Sequence, residues 1–127
     1  MEEAGRTLAA SPLASTALIA APLLLATAEA ARKEALLPAI ARGELVIALA
    51  LDESPRHVPE RIATRAVRGP QGHVLNGCKT FVVDGHVAQR FIVVARTAGD
   101  PQSADGLSLF LVDAGAPGVT VTRTHMV

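Results

Sequence analysis

The residues that could carry acid–base, nucleophilic or metal chemistry are few and scattered in this 127-residue chain. Cys78 is the single cysteine, which excludes an internal disulfide and fits a reducing compartment, so we expect the cytoplasm. Its thiol is predicted to be a small buried apolar group rather than a nucleophile. The four histidines have no metal-ligand spacing with one another or with Cys78, so no metal site is predicted; they are His57, His73, His86 and His125.

Charged side chains give no stronger signal of a reaction. Twelve basic residues balance twelve acidic ones, which argues against a nucleic-acid-binding surface because such a surface needs a clustered basic excess. Glu53 has no partner in the sequence that would mark it as a catalytic base. Lys79 and Arg96 are predicted to be surface charges.

The elements that must position these residues change in type near residue 44. Before it Ala, Leu, Glu, Lys and Arg dominate, which favours helices, and after it Val, Thr and Gly rise between turn signals, which favours short strands. We therefore predict an α+β fold, in which N-terminal α-helices precede an antiparallel β-barrel or sandwich.

Helical stretches are predicted at residues 2–9, 13–27 and 28–36. The second is apolar nearly all round, as in a helix buried inside a bundle, and Pro22 should kink or divide it. Pro38 suits the first position of a further short helix, which Gly43 can close in a left-handed conformation.

The apolar run at 13–28 has an alternative interpretation. It ends in Ala-Thr-Ala and resembles the core and cleavage site of a secretory leader, which would make the chain an exported small β-barrel binding protein. Against this, Glu2 and Glu3 outnumber Arg6 before the run, and the run is short for a membrane span. We favour a buried helix and predict no membrane span.

Seven strands are predicted, at 45–51, 63–68, 73–77, 79–84, 91–97, 107–112 and 118–124. The first is a continuous apolar run, typical of a strand covered on both faces. The turn Gly69-Pro70-Gln71-Gly72 predicts a hairpin between the second and third.

Several short motifs follow one another along nearly the whole chain. They are Glu3-Ala4-Gly5-Arg6, Leu37-Pro38, Ala41-Arg42-Gly43-Glu44, Ala50-Leu51-Asp52-Glu53, Leu75-Asn76-Gly77-Cys78-Lys79, Phe81-Val82-Val83-Asp84-Gly85, the segment 91–97, the segment 106–113 and Gly118-Val119. In this order and spacing the chain resembles the acyl-CoA dehydrogenase family, from the last helices of the N-terminal domain through most of the middle β domain.

The resemblance implies a flavoenzyme of three domains that desaturates acyl-CoA thioesters, with FAD between the β domain and a final helical bundle and with an electron-carrier flavoprotein as partner. Residues 1–43 would belong to the N-terminal helical domain and 44–127 to the middle β domain, incomplete at its C-terminus. The bundle that carries the catalytic base has no counterpart here, so we expect a fragment that is inactive alone and that forms a homo- or hetero-oligomer.

Carrying the family pattern onto this chain assigns FAD contacts to Leu51, Asp52, Phe81 and Val83, and no catalytic residue. Asp52 and Val83 replace hydroxyl donors, and neither an ionised carboxylate nor a valine can donate a hydrogen bond. Either backbone groups hold the flavin, or the chain binds it poorly and is a non-catalytic partner subunit. Two structural alternatives stay open: Phe81 as part of the barrel core, and Asp52 as a solvated or capping carboxylate. Arg56 and His57 either contact a CoA phosphate or belong to a solvated loop.

Overall fold

The computed structural model describes residues 2–6 and 9–124. A short helix α1, Glu2–Arg6, precedes a π-helical segment, Ala14–Ala20, which runs directly into α2, Ala21–Thr27, and α3 spans Ala30–Ala41. Five strands follow: β1 Ile47–Ala50, β2 Arg65–Gly69, β3 Gly72–Asn76, β4 Arg90–Arg96 and β5 Leu107–Asp113. The predicted order of helices then strands is confirmed. Residues 7 and 8 of the predicted first helix lie outside the described residues.

The prolines shape the helices differently from one another. The Ala21 N–H bonds to the Thr16 carbonyl five residues back, and Pro22, the next residue, has no N–H with which to continue this ladder. Pro22 therefore accompanies the change from π- to α-helix, without a break. The prediction that Pro38 begins a helix is wrong, because α3 continues through it. Pro38 has no N–H to donate to the Glu34 carbonyl. Both residues are exposed, so water can hydrogen-bond to that carbonyl instead.

Strand β4 is the centre of the sheet. Strand β5 pairs with it antiparallel along its whole length, from Arg90↔Asp113 to Arg96↔Leu107. On its other side lies β1, parallel over residues 47–50, and then β2, parallel at Arg65↔Arg96. Strands β2 and β3 form the predicted hairpin. The sheet is therefore mixed and, over the described residues, not closed: the long connections 51–64 and 77–89 return the chain so that β1, β2 and β4 run the same way.

Two predicted strands are wrong. Residues 79–84 form a loop, because Phe81 (φ 52°) and Asp84 (φ 57°) adopt left-handed conformations that interrupt a strand ladder. Residues 118–124 make no strand pairing with other described residues, and 120–124 are exposed.

The core lies on both faces of β1 and β4. This confirms the prediction that the first strand is covered on both faces. On one face Ile47 and Ile92 pack with the helical side chains Ala20, Leu24 and Leu36. On the other face Ala48 and Phe91 pack with Ala88. The Thr16 hydroxyl, 3.2 Å from both the N–H and the carbonyl of Ile47, fixes the helices to the sheet.

The 13–27 segment is less buried than predicted. Ala20 and Leu24 are covered by the sheet, but four of its large apolar side chains remain 37% to 56% exposed, namely Leu13, Leu18, Ile19 and Leu25. The sheet thus covers one side of this segment, and the rest of the chain leaves these four side chains partly exposed. In the part of the chain that the structure describes, no helix is long and apolar enough to span a membrane.

Two further sequence-based expectations are corrected. Cys78 is exposed rather than buried. Arg96 is buried rather than on the surface, and its guanidinium donates to the carbonyls of Ile62 (3.0 Å), Asp105 (2.7 Å) and Ser103 (2.8 Å). It thereby fixes the loop between β4 and β5 to the segment that leads into β2.

Candidate functional site

The four residues assigned to FAD from the sequence lie around one pocket of about 170 Å³. Leu51 and Asp52 reach it from the end of β1, and Phe81 and Val83 from the loop before β4. The other lining residues are Ser15, Ile19, Leu49 and His57. Sequence reasoning did not assign Ser15, Ile19 or Leu49 to a site. Only Leu49 carried a usable signal, because residues two apart on a strand point to the same face as Leu51.

A partly buried ion pair joins the two segments that carry these residues. Lys79 Nζ lies 2.7 Å from Glu53 Oε1 and donates to the Leu51 carbonyl at 3.0 Å. The Thr80 N–H donates to the Asp52 carbonyl at 2.7 Å. The expectation that Lys79 is a surface charge is thus wrong, since its side chain is only 9% exposed.

Glu53 is also held by the start of β2. Its carboxylate accepts hydrogen bonds from the backbone N–H groups of Ala63 (2.7 Å) and Thr64 (3.0 Å). Burial alone would raise the pKa of Glu53, but the hydrogen bonds from Lys79 and these amides outweigh it and lower the pKa from 4.5 to about 2. Burial lowers the pKa of Lys79, with Glu53 opposing this effect. Glu53 is therefore a structural anion, fully engaged away from the pocket.

Asp52 points the other way and pairs with His57. Its Oδ1 lies 2.8 Å from His57 Nδ1, with the Asp52 side chain 24% exposed and that of His57 65% exposed. The two lie at the pocket, so Asp52 is neither a freely solvated carboxylate nor a helix cap.

Phe81 is not core, because its side chain is 57% exposed. Its left-handed backbone (φ 52°) is unfavourable for a bulky residue, and such strain clusters at functional sites. At the far end of the same loop, the Asp84 carboxylate accepts a hydrogen bond from the Ser15 hydroxyl (2.7 Å), which ties the loop to the π-helical segment. The loop conformation is thus fixed from both ends, by Lys79 and by Asp84.

The chemistry of the pocket fits a flat, largely apolar ring with a polar edge. Four of its eight lining residues are leucine, isoleucine or valine, and the Phe81 ring lies exposed beside them. Among the described residues, the backbone N–H groups of Phe81 and Val83 have no hydrogen-bond partner. Two amide donors next to an aromatic ring suit a ligand with ring acceptor atoms, although the usual hydroxyl donors are missing.

Comparison with known proteins agrees with this geometry. The family model "Acyl-CoA dehydrogenase, middle domain" matches residues 56–127, more than half of the chain. A benzylmalonyl-CoA dehydrogenase from Aromatoleum aromaticum is 47% identical over 64 residues, which are 50% of this chain and 16% of that protein. The chain belongs to the acyl-CoA dehydrogenase family.

Solved structures show the same fold in longer chains. The ChsE4-ChsE5 complex from Mycobacterium tuberculosis matches with a TM-score of 0.86 and 27% identity, over 98% of this chain and 32% of that one. A glutaryl-CoA dehydrogenase from Mycobacterium smegmatis in complex with FADH2 matches with a TM-score of 0.74 and 28% identity, over 84% of this chain and 26% of that one. The chain thus spans a sixth to a third of the proteins it resembles.

Proposed function

We propose that this chain supplies the flavin-binding face of an FAD-dependent acyl-CoA dehydrogenase. The observation that carries the proposal is the convergence of Leu51, Asp52, Phe81 and Val83 on one pocket, although 28 residues of chain separate the two pairs. FAD would supply the acceptor for the hydride in the desaturation. The chain would hold its ring between the apolar end of β1 and Phe81.

Residues 1–43 then belong to an N-terminal helical domain and 44–127 to the middle domain. The substrate of the whole enzyme is an acyl-CoA thioester, electrons leave through a carrier flavoprotein, and the compartment is the cytoplasm. We expect no substrate turnover by the 127-residue chain alone, because no residue in it is assigned as the catalytic base. Acyl-CoA-dependent reduction of a dye by this chain with added FAD would contradict that assignment.

Equilibrium titration with FAD tests the flavin site. Phe81→Leu removes the flat ring but keeps an apolar side chain, so the dissociation constant should rise about 3- to 10-fold, as for the loss of one aromatic contact. Phe110→Leu is the matched control, because Phe110 lies beside a second groove, between α2 and β5. Flavin fluorescence reports binding in both variants.

Two results of that titration would contradict the proposal. One is a dissociation constant of the wild-type chain for FAD above about 1 mM, which corresponds to a binding free energy weaker than about 4 kcal/mol. The other is a Phe110→Leu variant that loses affinity while Phe81→Leu does not.

A second candidate function is that of a non-catalytic partner subunit, which the ionised Asp52 in place of a hydroxyl donor favours. A solved neighbour, the ChsE4-ChsE5 structure, is itself a complex of two named proteins. Co-expression with a flavin-binding paralogue separates the two functions. FAD bound against this chain supports the enzyme, and FAD found only on the paralogue supports the partner subunit.

A further inference from the structure

His57 is a polar side chain of the pocket to which the family pattern assigns no flavin contact. His57 lies on the loop between β1 and β2, faces the pocket and is 65% exposed, while its Nδ1 is held 2.8 Å from Asp52 Oδ1. The backbone of Asp52 is held in turn by the Thr80 N–H at 2.7 Å. The imidazole is therefore oriented by groups that are themselves fixed.

In its imidazolium form, His57 is also the one lining side chain with a free hydrogen-bond donor. Leucine, isoleucine, valine and phenylalanine have none, and an ionised Asp52 only accepts. The Ser15 hydroxyl has a single proton, which the Asp84 carboxylate (2.7 Å) or the Pro12 carbonyl (3.0 Å) takes. For His57 Nε2 no partner is found within residues 2–6 and 9–124.

We infer that His57 Nε2 binds the imide edge of the flavin ring, where a ring N–H lies between two carbonyl groups. Because Nδ1 must carry a proton to meet the carboxylate, Nε2 donates in the imidazolium form and accepts in the neutral form. The imide edge offers a partner to either state. Asp52, which cannot replace the missing hydroxyl donor itself, thus acts as a positioning residue for His57.

This inference rests on the proposed flavin site, and its test has a readout that a merely structural role would not move. FAD labelled with ¹³C at the two imide carbonyls is bound to the 127-residue chain, and the dissociation constant and the carbonyl resonances are measured together. For His57→Phe we expect the dissociation constant to rise about tenfold, the effect of one strong hydrogen bond. We also expect one carbonyl resonance to move towards its position in an apolar solvent.

Two further variants complete the experiment. His57→Gln keeps a donor and an acceptor and should give intermediate values of both quantities. His73→Phe is the matched control, because His73 is an exposed residue of β3 away from this pocket, with its ring 5.1 Å from Phe110. It should leave both quantities unchanged.

The outcomes separate this inference from the proposed function. A wild-type chain that does not bind FAD contradicts both. A wild-type chain that binds FAD, with His57→Phe giving the same dissociation constant or the same carbonyl resonances, overturns the role of His57 and leaves the flavin site standing.

Discussion

At the scale of single residues, two consecutive carboxylates have separate tasks. Glu53 turns into the protein, where it meets Lys79 and two backbone amides, and Asp52 turns to the pocket, where it meets His57. Through Lys79, Glu53 fixes the backbone of the two segments that line the pocket. Asp52 fixes the side chain of His57.

The pH dependence of stability should report the Glu53 carboxylate. The unfolded chain takes up this proton near pH 4.5 and the folded chain only near pH 2, so stability present at neutral pH is lost as the pH falls between these values. The loss is at most about 3 kcal/mol, of which about 2 kcal/mol is gone by pH 3. We expect Glu53→Gln to reduce the fall in urea-unfolding free energy between about pH 7 and pH 3 by this amount.

The control is Glu34→Gln, on the exposed side of α3, which should keep the full acid dependence. An acid dependence of Glu53→Gln equal to that of the wild type would mean that the ion pair does not hold the folded state.

Leu51, Asp52, Phe81 and Val83 were assigned to one site from motifs, and the structure places all four around one pocket. That this pocket holds FAD stays a prediction. The burial of Lys79 was missed because its partner, Glu53, is 26 residues away, and no local pattern distinguishes a buried lysine from a solvated one. Ser15 and Ile19 were missed for the same reason, since they meet the pocket only through helix–sheet packing.

At the scale of elements, turn chemistry and apolar runs located five of the seven predicted strands. The failures have a physical cause that propensity does not report. Val82 and Val83 favour a strand, but the left-handed Phe81 and Asp84 beside them produce a loop whose two ends are bonded to β1 and to the helices. Residues 118–124 have strand-like composition but no neighbouring strand among the described residues with which to pair.

The loop between β4 and β5 depends on one buried side chain. Arg96→Leu would leave the carbonyls of Ile62, Ser103 and Asp105 without their donor, and we expect a loss of about 3 kcal/mol in unfolding free energy. Urea denaturation measures this loss.

Arg90→Leu is the matched control on the same strand. Its ion pair with Asp113 is long, at 4.0 Å, and partly exposed, so the change should cost less than about 1 kcal/mol. Equal effects of the two substitutions would show that Arg96 does not anchor the loop.

At the scale of the whole molecule, the order of helices and sheet follows from composition, but the relative direction of the paired strands does not. The parallel pairing of β1 and β2 with β4 is set by long loops, which composition leaves open. The helical segment before the sheet covers one face of β1 and leaves Leu18 and Leu25 more than half exposed. In an intact enzyme of this family, we expect other parts of the protein to cover that face.

Amide chemical shifts of the ¹⁵N-labelled chain during FAD titration show whether the pocket between β1 and the Phe81 loop holds the flavin. We expect shifts at Leu51, Asp52, His57, Phe81 and Val83, with the β2–β3 hairpin unaffected. Shifts confined to the groove lined by Leu24, Arg32 and Phe110, or no saturable shift at all, would contradict flavin binding in this pocket.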